Sequence, residues 1–564
     1  MCHGAARPSP ADTLPGMDRR SALVLLIVFG TGVFLAGLEL MITAVALPSI
    51  LADLVDASGS SAWVELRKAS WIINGYLLVY IVVMPIAGRL ADLWGVRRLF
   101  LGALVVFVIG SVVAGAAQDL DQLIGARLVQ AVGGGVLVPV GTAAAAHLYD
   151  GPARARALGV IGALTFLGMA AGPFVGAALL SSFHPESVLA GSPAAAFLAP
   201  AWRWVFYINV PIGIAAIAIG WAASAGWDTP RRAGRVDLVG ATLFGIALAT
   251  GLVSLTLIGT TVIAGTDLDP TTVTAGLGAV AMIATVLAVV RALRVTDPFL
   301  DVRLFRRVAF GSAALVSLLT GYAFATAIIG GAVFVDRVLY GGPDEQRLAL
   351  GALAGATAAG ALVSGWLVRV LSFRLVSLVG IVLAIVGLVV MARWNADTSI
   401  ADVALALAVF GLGFGLTVTP RSSAAIEAAG RGAFGAASSV VTVARMVGMA
   451  VGLAILTSYG STTIDRLTTE VYATPDAYLA LIPEGLRDRP LRDPLVVEAL
   501  ESWASREAAS IMVGLFVVAA IVTIVAIPPA LALGGADGAA RRSRRADEAR
   551  MLPLDGPADA DLVL

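Results

Sequence analysis

Charged residues are scarce in this chain, and the few that fall inside long apolar runs are the ones able to do chemistry. Of 564 residues, 59% are hydrophobic and 13% are charged. Glu39 sits in Leu38-Glu39-Leu40-Met41-Ile42-Thr43-Ala44-Val45-Ala46-Leu47-Pro48, about 17 residues and roughly 25 Å of helix from the arginine-flanked start of its run. A carboxylate at that depth is costly unless paired, solvated or protonated, so it marks either a proton carrier or a buried interface hydrogen bond. Arg127, in Leu123-Ile124-Gly125-Ala126-Arg127-Leu128-Val129-Gln130-Ala131, enters its own run from the opposite end by about five residues, within about one helical turn of the depth of Glu39. An arginine beside a carboxylate favours the charged form and apolar burial favours the neutral one. A change of shape that alters either term therefore moves a proton, and the depths alone suggest that Glu39 and Arg127 are coupled. Arg445, in Val443-Ala444-Arg445-Met446-Val447-Gly448-Met449, lies near the middle of another run and must face a cavity or a buried partner rather than lipid.

These residues need helices to hold them. Repeated apolar runs of about 20 residues are long enough to cross a bilayer, and the mean hydropathy of +0.91 excludes an ordinary soluble globule. Fourteen spans are expected near 22–46, 70–90, 98–117, 122–146, 156–180, 203–224, 237–259, 272–293, 309–335, 347–370, 375–393, 402–421, 434–458 and 508–533. The connections alternate. One set carries Arg19/Arg20, Arg89/Arg97/Arg98, Arg154/Arg156, Arg231/Arg232/Arg235, Arg291 to Arg307, Arg369/Arg374, Arg421/Arg431 and the basic tail from Arg541; the other carries Asp53/Asp56, Asp119/Asp121, Glu186, Asp267/Asp269 and Asp397/Asp402. Arginine-rich loops stay in the cytoplasm, which expects both termini inside and an even helix count. Met1 to Gly16 read as a disordered tail, with Met17 an alternative start of translation, and the first run is too long for a removable signal peptide.

Between the second and third runs lies Gly88-Arg89-Leu90-Ala91-Asp92-Leu93-Trp94-Gly95-Val96-Arg97-Arg98. Its charges place it in water, and its glycines allow a tight turn. The pattern G-x-L-x-D-x-x-G-x-R-R resembles the loop between the second and third helices of the major facilitator superfamily. In that superfamily the aspartate meets the end of a helix in the opposite half and holds the cytoplasmic side shut. The resemblance gives Asp92 and Arg97 a gating role, within a motif that includes Gly88, Gly95 and Arg98. Gly365-Trp366-Leu367-Val368-Arg369-Val370-Leu371-Ser372-Phe373-Arg374 is a degenerate copy with Arg369 where Asp92 would be. Such internal repeats imply two six-helix halves with the substrate path between them.

The two spans near 237–293 then form an insertion, and the 6+2+6 order resembles the fourteen-helix drug:proton antiporters. The expected organisation is a tail at 1–20, a six-helix half at 21–225, a two-helix insertion at 226–300, a second half at 301–535 with an extracytoplasmic extension at 459–507, and a tail at 536–564. The stretch around Glu39 is similar to the L-D-x-T-I-V-N-V-A-L-P signature of that group, with Glu39 for its Asp and Ala44 for its Asn. Arg127 falls on the R-x-x-Q-G motif of the fourth helix, with Ala131 for the glycine. Gly159, Gly168, Gly172, Pro173 and Gly176 fit the G-x8-G-x3-G-P-x2-G pattern associated with exporters; physically, a glycine face lets helices approach closely. Trp202-Arg203-Trp204-Val205-Phe206-Tyr207-Ile208-Asn209-Val210-Pro211 resembles another signature of the group, and its aromatic residues suit anchoring at the outer interface.

Two stretches, Trp71 to Pro85 and the run around Arg445, are similar to mycobacterial triacylglycerol and glycolipid exporters, which work beside an envelope lipoprotein. The acidic residue that this resemblance expects before Leu167 is Phe166 here, so any relay through it is absent or rerouted. The segment from Tyr459 to Glu507 is long for an outer loop. Ile464, Leu467 and Val471 continue an apolar stripe, and Asp493-Pro494 reads as a helix start followed by Leu500 and Trp503. Both flanking helices are expected to run on past the membrane by roughly 15–20 Å, as a partly apolar projection along which lipid slides or on which a lipoprotein docks; the alternative is a merely protective loop.

Other chemistries lack their residues. Cys2 is the sole cysteine, the histidines at 3, 147 and 184 are scattered, and the single lysine, Lys68, is in no phosphate-binding loop. The expectation is therefore an all-helical membrane protein that is no enzyme, uses no cofactor or metal and binds no nucleic acid. It would work as a monomer in the inner membrane, exporting hydrophobic or amphiphilic molecules against proton entry, with lipid ahead of multidrug efflux and a non-transporting lipid sensor as the remote alternative.

Overall fold

The computed structural model describes residues 18–54, 71–185, 187, 191–192, 194–225, 227, 229, 231, 234, 236–258, 269–430, 433–472, 479, 481–489 and 493–533. Residues 1–17 of the expected first tail and the whole of the second lie outside these, whereas Arg19 and Arg20, assigned to that first tail, open the first helix; the side chains of Ile464, Leu467 and Val471 also lie outside. Fourteen helices are long and apolar enough to cross a membrane. They are α1 (Arg19–Leu54), α2 (Trp71–Trp94), α3 (Val96–Ala116), α4 (Leu120–Leu148), α5 (Gly151–Ser182), α6 (Asn209–Ala223, the last part of a span that begins at Ala201) and α7 (Leu238–Leu257). The rest are α8 (Pro270–Arg294), α9 (Val308–Arg337), α10 (Pro343–Leu367), α11 (Phe373–Met391), α12 (Ile400–Ala429), α13 (Phe434–Tyr472) and α14 (Pro494–Val525). An even count returns the last span to the face from which the first begins.

Local chemistry starts these helices where the sequence offers an oxygen to free amides. Asp119, Asp269, Ser372 and Ser399 each accept from the amide three residues on, and Asp493 accepts from Leu495. Pro270 and Pro494 occupy first turns, where a missing N–H costs nothing. Between α2 and α3 the chain reverses through Gly95, whose φ of 90° suits a residue without Cβ.

Packing divides the helices into two like sets. In α1–α6 the close pairs are α1 with α5, α3 with α4, α2 with α4 and α3 with α6; in α9–α14 they are α9 with α13, α11 with α12, α10 with α12 and α11 with α14. Each pair maps onto its counterpart eight helices on. The halves meet along two seams, α2 with α13 and α5 with α10. Helices α7 and α8 pack on each other, and α7 lies against α2 and α13, covering the first seam. Asp237 begins α7 and takes the Gly240 amide at 3.0 Å and Arg291 Nε of α8 at 2.7 Å. Burial pushes its carboxyl up, but these donors outweigh burial and hold it below the usual carboxylate range.

Three positions depart from the sequence reading. Arg421, counted among the loop arginines, is buried within α12, which continues to Ala429 past Pro420. Trp202 and Phe206, expected at the outer interface, are buried instead: Trp202 Nε1 donates to Asp53 at 3.1 Å, and Phe206 lies beside Arg127. The polar handle of the first found a protein partner, so the indole need not reach the headgroups. At the far end α13 spans 39 residues, about 58 Å of helix, and continues sixteen residues beyond Leu456, where its apolar span ends. Leu500 and Trp503 are half-buried on α14.

Glycines set the closest helix approaches. A Cβ on Gly168 would fall on the Phe34 carbonyl of α1, and one on Gly448 of α13 on the Leu318 carbonyl of α9, whereas one on Gly102 would meet nothing. Gly168→Leu is therefore expected to cost about 1–3 kcal/mol by overpacking, and Gly102→Leu nothing. Thermal unfolding of the two detergent-solubilised variants, with a lower apparent Tm for the first alone, checks this.

Candidate functional site

Five helices converge on Glu39. It is carried by α1 and is 0% exposed, and Arg127, from α4, is 1% exposed. Glu39 Oε1 accepts Arg127 Nη1 and, at 3.0 Å, the Thr43 hydroxyl; Oε2 accepts Asn209 Nδ2 from the first turn of α6 at 2.6 Å. The guanidinium also donates to Gln130 Oε1 at 2.6 Å and to the Ile72 carbonyl of α2 at 3.3 Å, and lies 4.0 Å over the Tyr76 ring. Gln130 passes the network on to Ser111 of α3 at 2.8 Å. Three donors thus satisfy both oxygens of one carboxylate. Removing one member of such a buried pair costs about 3–5 kcal/mol, because the other charge is stranded. Among the described residues the buried carboxylates are Glu39, Asp92 and Asp237, and of these only Glu39 is in mid-span.

The glycines of α5 lie along the same stretch of α1. Gly168 faces Phe34 and Leu38, Gly172 faces Leu38, Met41 and Ile42, and Gly176 faces Ile42 and Val45. Gly159, the first of the motif, faces the other way, onto Ala361 and Gly365 of α10. One helix thus touches both the backbone around Glu39 and the opposite half. Pro173 lies in the interior of α5, where it leaves one backbone carbonyl without its helical donor.

The two seams are closed differently. At the first, Asp92 at the end of α2 accepts the Gly435 amide at 2.8 Å and the Ala436 amide at 2.9 Å. It thereby caps α13 from the opposite half, where the helix dipole favours an anion. Gly88 lets the backbones meet there, since a Cβ would strike Ser439 and the Gly435 carbonyl. At the second seam Gly365 packs on Ala155, Arg156 and Gly159, but its copy of the motif offers exposed Arg369 in place of an aspartate. The remaining motif arginines do other work. Arg97 Nε donates to Ser224 at 2.6 Å and its guanidinium stacks on Trp221, tying α3 to the end of α6. Arg89 pairs with Asp297 beyond α8 at 3.0 Å. Arg98 is exposed and lines an apolar groove of about 850 Å³ between α2, α3 and α4.

Arg445 lies 7% exposed and Arg421 2% exposed beside one small void between the halves, about 30 Å³, roughly the volume of one water. Arg421 donates to Thr320 at 2.6 Å and stacks 5.0 Å from the Phe414 ring; Arg445 stacks 5.2 Å from Phe166, and its Nε has no hydrogen-bond partner. A cation–π contact contributes about 0.5–2 kcal/mol, whereas a central arginine costs about 2.5–3.5 kcal/mol or more. The rings do not balance the charge.

The structure pairs Glu39 with Arg127, which the sequence placed at similar depth, seats Asp92 on the start of α13, and puts Arg445 beside the void between the halves. Asn209, Gln130, Ser111, Thr43 and Tyr76 were missed. The signal for two of them was present: Asn209 ends the aromatic signature and Gln130 completes R-x-x-Q. Ser111 and Tyr76 sit in apolar runs with nothing to single them out.

Removing Asp92 leaves two amides of α13 uncapped. Asp92→Ala is expected to weaken closure by about 1–2 kcal/mol, roughly a 5- to 30-fold shift toward the separated seam. Thiol labelling of Ser439→Cys in a background carrying Cys2→Ser should rise accordingly with Asp92→Ala; unchanged labelling would sink the gating role.

Known proteins carry the same pattern. The sequence pattern of the Major Facilitator Superfamily matches residues 29–453. A triacylglyceride transporter of Mycolicibacterium hassiacum is 31% identical over 500 residues, covering 86% of each chain. One of Mycolicibacterium smegmatis is 33% identical over 445 residues, 76% of this chain and 74% of that protein. Among solved structures, a proton:xylose symporter aligns over 90% of this chain and 96% of its own at 12% identity with a TM-score of 0.54. A human organic anion transporter aligns over 89% and 99% at 13% identity with a TM-score of 0.55; at such identities the likeness is one of fold. With two like six-helix halves, a motif aspartate capping a helix of the opposite half, and a family match across three quarters of its length, the chain belongs to the Major Facilitator Superfamily and is a multi-pass membrane transporter.

Proposed function

We propose that this transporter exports hydrophobic or amphiphilic lipids across the inner membrane against proton entry, with Glu39 as the proton site. The observation that carries this is one fully buried mid-span carboxylate on the stretch of α1 that α5 grips with its glycines. When the halves rock, α5 shifts on α1, and the three donors around Glu39 no longer converge. Losing Arg127 or Asn209 favours the neutral acid; regaining them expels the proton. Arg127 is thus the modulator, Asp92 the latch of the arginine-rich face, and the glycines the sliding contact.

The lipid assignment rests on the relatives named as triacylglyceride transporters and on the two seams. The seam latched by Asp92 is also covered by α7, whereas among the described residues the α5–α10 seam has neither such a latch nor such a cover. Parting there would open the cavity sideways to acyl chains. The sixteen-residue overrun of α13 extends the path beyond the far face, where an envelope lipoprotein would receive the lipid.

Proteoliposomes with an imposed pH gradient test this with fluorescent triacylglycerol and ethidium side by side. Wild type should move the lipid only with the gradient, and Glu39→Gln, compared per folded protein by gel filtration because it strands Arg127, should lose at least ten-fold of that flux. Ethidium movement alone would make the protein a drug antiporter, and gradient-independent lipid movement would remove the proton from the mechanism.

A further inference from the structure

Five arginines are buried among the described residues: Arg89, Arg127, Arg203, Arg421 and Arg445. Three have a carboxylate, namely Asp297, Glu39 and Asp53. Arg421 and Arg445 have none, and these two share one void. The rest of its polar lining is Thr142 and Thr165 from the first half and Ser422 and Thr442 from the second, all hydroxyls and no acid. The threonines already bond their own helices, at 2.8–2.9 Å to the carbonyls of Val138, Ile161 and Ser438. Two cations side by side, one with an unpartnered Nε, are not balanced by hydroxyls. Buried charge requires a counter-charge, and in this site the chain supplies an aromatic ring, Phe166, where an acid would reach Arg445.

We infer that the Arg421–Arg445 site binds an oxyanion, a carboxylate or phosphate, carried by the transported amphiphile. The inference rests on the transport reading and extends its substrate class beyond neutral triacylglycerol to anionic amphiphiles such as fatty acids or phosphorylated lipids. In this closed arrangement the void holds no more than a water; the head lodges between the two guanidiniums only as the halves part, with the chains in the apolar space that opens between them. Because the void is lined from both halves, an anion bound there is gripped differently as they move. That difference is what allows a ligand to bias a two-state equilibrium.

The test uses the purified full chain in phosphatidylcholine nanodiscs and two probes that differ mainly in charge, tritiated oleate and tritiated monoolein. Wild type should bind oleate at least ten-fold more tightly. Phe166→Glu, which supplies the missing acid from within, and Arg445→Gln should each abolish that preference and leave monoolein binding unchanged, whereas Phe166→Gln should keep it. Arg421→Gln gives a second, independent variant should the glutamate fail to fold, as judged by gel filtration. Competition by inorganic phosphate would identify a site open to free anions; competition by phosphatidic acid but not phosphate would identify a headgroup site. Either supports an oxyanion site. Equal binding of the two probes by wild type, or a preference that survives both Phe166→Glu and Arg445→Gln, overturns it. Lipid flux without charge preference would remove this site and leave the transport reading intact; oleate preference without flux would do the reverse.

Discussion

A bilayer offers no partner for a charge, and this requirement organises the protein from its centre outward. Glu39 is tolerated because α1, α4 and α6 together deliver one guanidinium, one hydroxyl and one amide to it. Those helices are thereby fixed in rotation and depth, since a turn of any of them would strand a charge at a cost of several kcal/mol. Arg203 is settled in the same way by the carbonyls of Gly115 and Ala117 and by Asp53. Arg421 and Arg445 are the exception, and the exception falls on the void between the halves.

Close approach is the second constraint, and glycine is its instrument. Lipid is as apolar as leucine, so helices associate through packing rather than through hydrophobic gain. The like halves use the same device at matching places. Gly168 and Gly172 bring α5 onto α1, and Gly448 and Gly452 bring α13 onto α9. Gly133 seats α4 on α3, and Gly413 seats α12 on α11. The repeat is faint in the sequence because only small residues at crossing points must be kept, while lipid-facing positions accept any apolar side chain.

Function enters where the halves stop being alike. The aspartate that caps α13 has an arginine as its counterpart at the other seam, and one seam alone is covered by α7. The first half holds the mid-span buried acid; the second contributes two buried arginines without a carboxylate partner. A symmetric frame thus carries an asymmetric distribution of charge.

Hydropathy, the alternation of arginine and aspartate loops and the Gly88–Arg98 pattern determined the helix count, the fold and the place where Asp92 meets the opposite half. Each follows from local composition, because a span must be apolar along its whole length and a loop must be wet. Depth along the chain also brought Glu39 to the level of Arg127, since helical rise converts residue number into height. Rotation about each helix axis was not legible, nor was which helix stands next to which. Tertiary structure alone decided that Asn209 completes the carboxylate, that Arg421 lies inside α12 rather than in a loop, and that Phe166 occupies the face of Arg445. In an almost uniformly apolar helix the sequence marks no face as inner or outer, so contacts across helices arise only when the partners are packed.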